Sequence, residues 1–112
     1  MFAMIVTDIF HMAGHGTVIT GKITSGSVRV GQRVRLSSPS ASISAVAAAL
    51  ERVPSREFVS QAKAGEEVGV LLRDFSPEAL SDGLERVQPF GWRVVSLRLT
   101  GEGFWQRVTQ KS

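Results

Sequence analysis

Two histidines, a set of closely spaced arginines and three large aromatics are the side chains here with chemistry to offer. His11 and His15 flank Gly14 and are the only two imidazoles in the chain. Set across a turn, they could face one ion. A stable metal site needs three or four ligands, and no carboxylate pair stands near them, so no metal is expected. The carboxylates are scattered and form no acid/base pair in sequence. There is no cysteine, hence no thiolate nucleophile and no disulfide. Neither a Gly-x-Ser-x-Gly elbow nor a Gly-x-x-x-x-Gly-Lys-Ser/Thr phosphate cradle is present. Catalysis and cofactor binding are therefore not expected, which leaves recognition. Lys22, Arg29, Arg33 and Arg35 are a first basic group, cations that could meet phosphates. Arg52 and Arg56, with Lys63, are a second basic group in a loop. Trp92, Phe104 and Trp105 would cover a core or, if exposed together, mark a partner or dimer face.

Bulk composition agrees with a binding protein. The 112 residues make one domain, 43% hydrophobic and 21% charged. Net charge is +3, and ten of the thirteen basic residues are arginine, the side chain suited to bidentate pairing with phosphate or carboxylate. A charge row on a strand is most often an ordinary solvated face, so the excess permits RNA contact without requiring it. No apolar run reaches membrane-spanning length, and Met1 to Met12 lacks a basic leader and contains Asp8. A cytoplasmic location is the expectation.

The elements that position these residues are short and β-rich. Residues 2–12 read as a first strand, apolar on both faces, which calls for a bulge. Gly14 to Gly16 supplies the turn. Thr17, Ile19, Gly21 and Ile23 share one face of a second strand, and Gly21 marks a bend or a close approach. Val28, Val30, Val34 and Leu36 are expected inward, with Arg29, Arg33 and Arg35 outward. Residues 37–42 form a loop. Residues 45–53 have helix propensity, with Pro54 as a stop. Residues 66–73 read as a central strand, 76–80 as one helical turn, and 84–88 as a last short strand. Residues 92–100 and 104–109 look like a hairpin around Thr100-Gly101-Glu102-Gly103.

The glycine-spaced segment carries a resemblance. Gly14-x-Gly16-Thr17-Val18-x-x-Gly21-x-Ile23, followed by Gly26-x-Val28-x-Val30-Gly31-x-x-Val34, resembles the second domain of translational GTPases such as elongation factor Tu. Ala64-Gly65-Glu66-x-Val68-Gly69-x-x-Leu72-Arg73 resembles a second block of that domain, and Gly83 with Pro89 is a weaker echo. The resemblance implies an all-β fold, a small closed translation-factor-type barrel of about six strands over residues 1–90. Residues 91–112 would add a C-terminal hairpin to it. It also implies a strand, not a helix, at 43–50. The resembled domain holds the aminoacyl end of tRNA against a strand reading Val-Glu-Met-Phe-Arg. That strand aligns with Val46-Ala47-Ala48-Ala49-Leu50, which lacks the acid, the aromatic and the arginine, and this argues against aminoacyl-tRNA. Related domains dock on ribosomal RNA.

The function read from the sequence is a non-catalytic binding module that contacts ribosomal RNA or a translation protein. Its contact residues would be His15, Lys22, Arg29, Arg33, Arg35, Arg52 and Arg56. The alternative is an assembly protein that dimerises or pairs with a partner through the hairpin, with Trp92, Phe104 and Trp105 at the interface.

Overall fold

The computed structural model describes residues 1–12, 14–73, 80, 82–86 and 92–101. Eleven strands fall within them: β1 (Ala3–Met12), β2 (Gly16–Ser25), β3 (Ser27–Arg29), β4 (Arg33–Ser37), β5 (Ser42–Arg52), β6 (Phe58–Val59), β7 (Gln61–Lys63), β8 (Glu67–Arg73), β9 (Leu84–Arg86), β10 (Trp92–Val94) and β11 (Arg98–Gly101). Six of them form a closed antiparallel barrel in the order β4-β11-β1-β2-β8-β5, with β5 returning to pair with β4. β6 extends the far end of β5. Two small ribbons, β3 with β7 and β9 with β10, stand beside the barrel.

Alternation along each strand explains the closure. Thr17, Ile19, Gly21 and Ile23 of β2 point inward, as do Val34 and Leu36 of β4 and Val68, Val70 and Leu72 of β8. Leu99 of β11 and Met4 of β1 complete the layer, both with no exposed surface. Burying a side chain of this size contributes about 1.5–3 kcal/mol each. The two-sided apolar character of β1 is resolved by a register shift between Val6 and Asp8. Ile9 thereby stays buried while Ile5 and Phe10 are about half exposed. Gly21 faces that irregularity. A Cβ there would overlap the Ile5 carbonyl oxygen, so only glycine allows β1 and β2 to approach as they do.

The segment with helix propensity is strand β5. Its backbone groups are taken by β4 on one side and β8 on the other, and Ala45, Ala47 and Leu50 enter the core. The ladders and the burial outweigh local preferences of a few tenths of a kcal/mol per residue.

Three expectations are corrected. The division after residue 90 fails because β11 lies between β1 and β4 and closes the barrel. Residues 98–101 therefore belong to the barrel wall. Residues 84–86 form no barrel strand and pair instead with β10 in a separate ribbon. Val30 does not point inward; it sits in the turn after β3 with 45% of its surface exposed. The helical turn expected at 76–80, apart from Leu80, lies outside the described residues, as does the second hairpin arm at 104–109.

Candidate functional site

Two features of the outer wall bring potential contact residues together. The first is an arginine face centred on β4. Arg33 and Arg35 point outward from that strand, because Val34 and Leu36 between and beside them are fully buried. Register adds two arginines from distant parts of the chain. Arg98 of β11 lies opposite Ser37 of β4, and Arg35 lies opposite Thr100. Arg33 and Arg73 both pair with Val46, one from each side of β5. Arg98, Arg35, Arg33 and Arg73 thus follow one another across four strands. The Arg35 Nη1 donates to Ser42 Oγ at 2.9 Å, which holds its guanidinium against the wall. No carboxylate occupies β4, β11 or the first five residues of β5.

The other expected cations are placed differently. Lys22 is exposed on β2 beside Glu67 in register. Arg29 lies in the β3–β7 ribbon, where its Nε donates to Gln61 Oε1 at 3.4 Å. Arg52 and Arg56 do not form a free basic patch with Lys63, because carboxylates neutralise both. Arg52 Nε meets Glu66 at 2.7 Å and its Nη1 meets Glu57 at 3.4 Å, while Arg56 Nε stands 3.5 Å from Glu51. The backbone N–H of Lys63 donates to the same Glu66 carboxylate. That hydrogen bond first, and Arg52 second, hold the Glu66 carboxyl below the usual carboxylate range. Arg52 is raised in turn, chiefly by its hydrogen bond to Glu66.

The second feature is an open cleft of about 670 Å³ on the adjoining stretch of wall, where β8 and β5 carry both surfaces. Its floor is a cross-strand row on four neighbouring strands: Phe10, Val18, Leu71 and Ala49 lie side by side in register. The next row is Thr20, Gly69 and Glu51, and the missing side chain at Gly69 deepens the floor. The segment from Val53 to Phe58 forms one wall, where Phe58 is 73% exposed. His15 lines the cleft from the β1–β2 turn, and the Glu51–Arg56 pair borders it. An apolar floor with a few polar groups at its margin suits a small planar or apolar group. Glu51 is the first carboxylate after residues 46–50 and lines the cleft.

His11 is exposed on β1 opposite Thr17. Among the described residues no three His, Cys, Asp or Glu side chains gather as metal ligands. Trp92 lies in β10 opposite Arg86; Phe104 and Trp105 lie outside the described residues. Sequence reading missed Arg73 and Arg98, since only register makes them neighbours of Arg33 and Arg35. It missed the cleft for the same reason: Phe10, Val18, Leu71 and Ala49 are adjacent only across strands.

Taken together, these elements define a small all-β module built on a closed six-stranded antiparallel barrel. Among solved structures the chain is similar to translation elongation factor SelB from Methanococcus maripaludis, in its apo form. The match covers 90% of this chain at 26% identity, with a TM-score of 0.68. It takes in 18% of the SelB chain, so the protein corresponds to less than a fifth of that factor. No protein-family profile matches the sequence. The fold is a translation-factor-type barrel, of the kind resembled in the second domain of elongation factor Tu, and the likeness supports a translation-related module. No helix among the described residues is long and apolar enough to cross a membrane.

Proposed function

We propose that this chain is a non-catalytic, translation-related module that works in the cytoplasm and binds RNA through the arginine face of β4, β11 and β8. The observation that carries this reading is the convergence of Arg98, Arg35, Arg33 and Arg73 on one stretch of wall. Guanidinium groups pair with phosphate oxygens and release condensed counterions, so binding should weaken steeply with salt. Ribosomal RNA is the partner the resemblance suggests. The test is co-sedimentation with purified ribosomal subunits at low and at high salt. Pelleting with one subunit that is lost at high salt, and lost on replacing Arg33, Arg35 and Arg98 by Ala, supports the reading. Pelleting that ignores those replacements overturns it.

A second reading rests on the cleft. Its floor lies beside Ala49 and Leu50, the end of the segment that aligns with the tRNA-contacting strand of the resembled family. Residues 46–50 lack that strand's contact side chains, so the reading rests on the shape of the cleft alone: its apolar floor, with the Glu51 carboxylate at its edge, would suit the terminal nucleoside of a tRNA. Aminoacyl-tRNA binding that Leu71→Arg abolishes and the arginine replacements leave intact would favour the cleft over the arginine face.

The assembly alternative finds less support. Both edges of β11 are already paired, by β1 and by β4, so this strand offers no open ladder to a second chain.

A further inference from the structure

We infer that the arginine face takes the backbone of double-helical RNA and not a single strand, an inference that rests on the RNA-binding reading above.

The first argument is what the face lacks. The outward positions around the arginines are Ser37 on β4, Ser42, Ser44 and Val46 on β5, and Thr100 on β11. None is aromatic. Proteins that hold single strands do so largely by stacking successive bases on aromatic rings, worth about 1–3 kcal/mol per base. Among the described residues this wall offers unpaired bases no such platform. The exposed aromatics among the described residues, Phe10 and Phe58, belong to the cleft.

The second argument is how the charges are laid out. Arg33 and Arg35 are separated along β4 by roughly 6.6 Å of strand rise. Arg98 stands on the diagonal from Arg35 across the ladder, at roughly 7–8 Å. Arg73 is two strands from Arg33, roughly 10 Å away. The four charges therefore spread in two dimensions over the convex outside of a closed barrel. A groove lined in single file would suit one strand. A broad convex patch suits the two phosphate rows that border the wide, shallow minor groove of an A-form helix.

The third argument is the interleaved hydroxyls. Ser37, Ser42 and Thr100 alternate with the arginines and can exchange hydrogen bonds with 2′-hydroxyl groups, which line that minor groove. Arg35 already uses Ser42 as an acceptor, so the guanidinium and the hydroxyl are presented together.

The test is fluorescence anisotropy on the whole chain with three labelled probes. They are a mixed-sequence RNA duplex of about 16 base pairs, the length a shape-reading domain covers, one of its strands alone, and the DNA duplex of the same sequence. Four phosphate contacts predict salt slopes of about −3.6 for a duplex and −2.8 for a single strand. Between 1 M and 0.05 M salt that difference makes the RNA duplex about tenfold tighter than its strand. A second duplex of scrambled sequence should bind equally, and replacing Arg33, Arg35 and Arg98 together should reduce the duplex slope by about 3. A single strand bound as tightly as the duplex overturns the inference, while loss of that binding in the triple variant would keep the RNA reading. Equal binding of the DNA duplex overturns the part assigned to the hydroxyls. Binding of no probe at low salt, with ribosomal subunits also failing to pellet the chain, overturns both the inference and the reading beneath it.

Discussion

Replacing Leu99 by Ala tests whether β11 holds the barrel shut. Leu99 has no exposed surface, pairs with Met4 of β1 and Leu36 of β4, and both of those neighbours are fully buried as well. Truncation to Ala removes the buried methyl groups and leaves a cavity between two ladders that the short strand cannot easily collapse. Such changes cost about 2–5 kcal/mol, against a total stability of about 5–15 kcal/mol for a domain. With 112 residues, the unfolding entropy near the midpoint is about 0.24 kcal/mol per kelvin, so the melting temperature should fall by about 8–21 °C. Val95→Ala is the control. It lies four residues earlier, outside any ladder and 60% exposed, and should change stability by under about 0.5 kcal/mol. Thermal and urea unfolding, followed by far-UV circular dichroism, read both variants. A fall of less than about 4 °C for Leu99→Ala, which corresponds to about 1 kcal/mol, would refute the assignment of β11 to the closed wall. A chain ending at residue 97 makes the same point more severely. It leaves β1 and β4 without their shared neighbour, and it should lose cooperative unfolding. If it melts like the whole chain, the barrel does not need β11.

Gly21→Ala would set a Cβ against the Ile5 carbonyl oxygen and force β1 from β2, at an expected cost above about 3 kcal/mol. Gly69→Ala, whose Cβ would meet only ordinary contacts at 3.6 Å, should fold normally; urea midpoints distinguish the two. The Glu66 carboxyl is held low by the Lys63 N–H and by Arg52, and Asp82 is held low by the Ser38 hydroxyl and then by Ser40. Both groups therefore bind protons less readily in the folded state than in the unfolded one. Their contribution is complete above the ordinary carboxylate range and is lost as pH falls through the folded-state values. Urea midpoints should decline on acidification, and Glu66→Gln should flatten that decline; an unchanged profile would show that the contacts of the Glu66 carboxylate with the Lys63 N–H and Arg52 contribute nothing. Replacing Arg52 or Arg56 should leave RNA affinity nearly unchanged, because Glu66, Glu57 and Glu51 already offset their charges; a loss as large as that from Arg33→Ala would return them to the binding face.

The arginine face was half legible in the sequence. Arg33 and Arg35 alternate with Val34 and Leu36, and alternation alone assigns them to the outside of any strand buried on one face. Arg73 and Arg98 gave no such signal as members of the same surface. They lie 38 and 63 residues beyond Arg35 in the chain, and a register relation over that distance depends on which strands pair, which local pattern does not encode. The cleft was illegible for the same reason, since its floor draws one side chain from each of four strands. Arg52 and Arg56 misled because their partners Glu66, Glu57 and Glu51 become neighbours only when the chain turns back after β5.

What the sequence determined by itself was local: the glycine-spaced turns, the inward faces of β2 and β4, a central strand at 66–73, and a run of motifs sufficient to indicate the barrel type. The motif resemblance also implied, against local propensity, the strand at 43–50, which forms because two neighbouring ladders and a core outweigh weak propensity. The tertiary structure alone decided two things. Residues 98–101 became barrel wall and not appendage, because the gap between β1 and β4 had to be filled for every backbone donor and acceptor there to find a partner. The candidate surfaces followed from that closure, since the circular order of strands sets which outward side chains stand together.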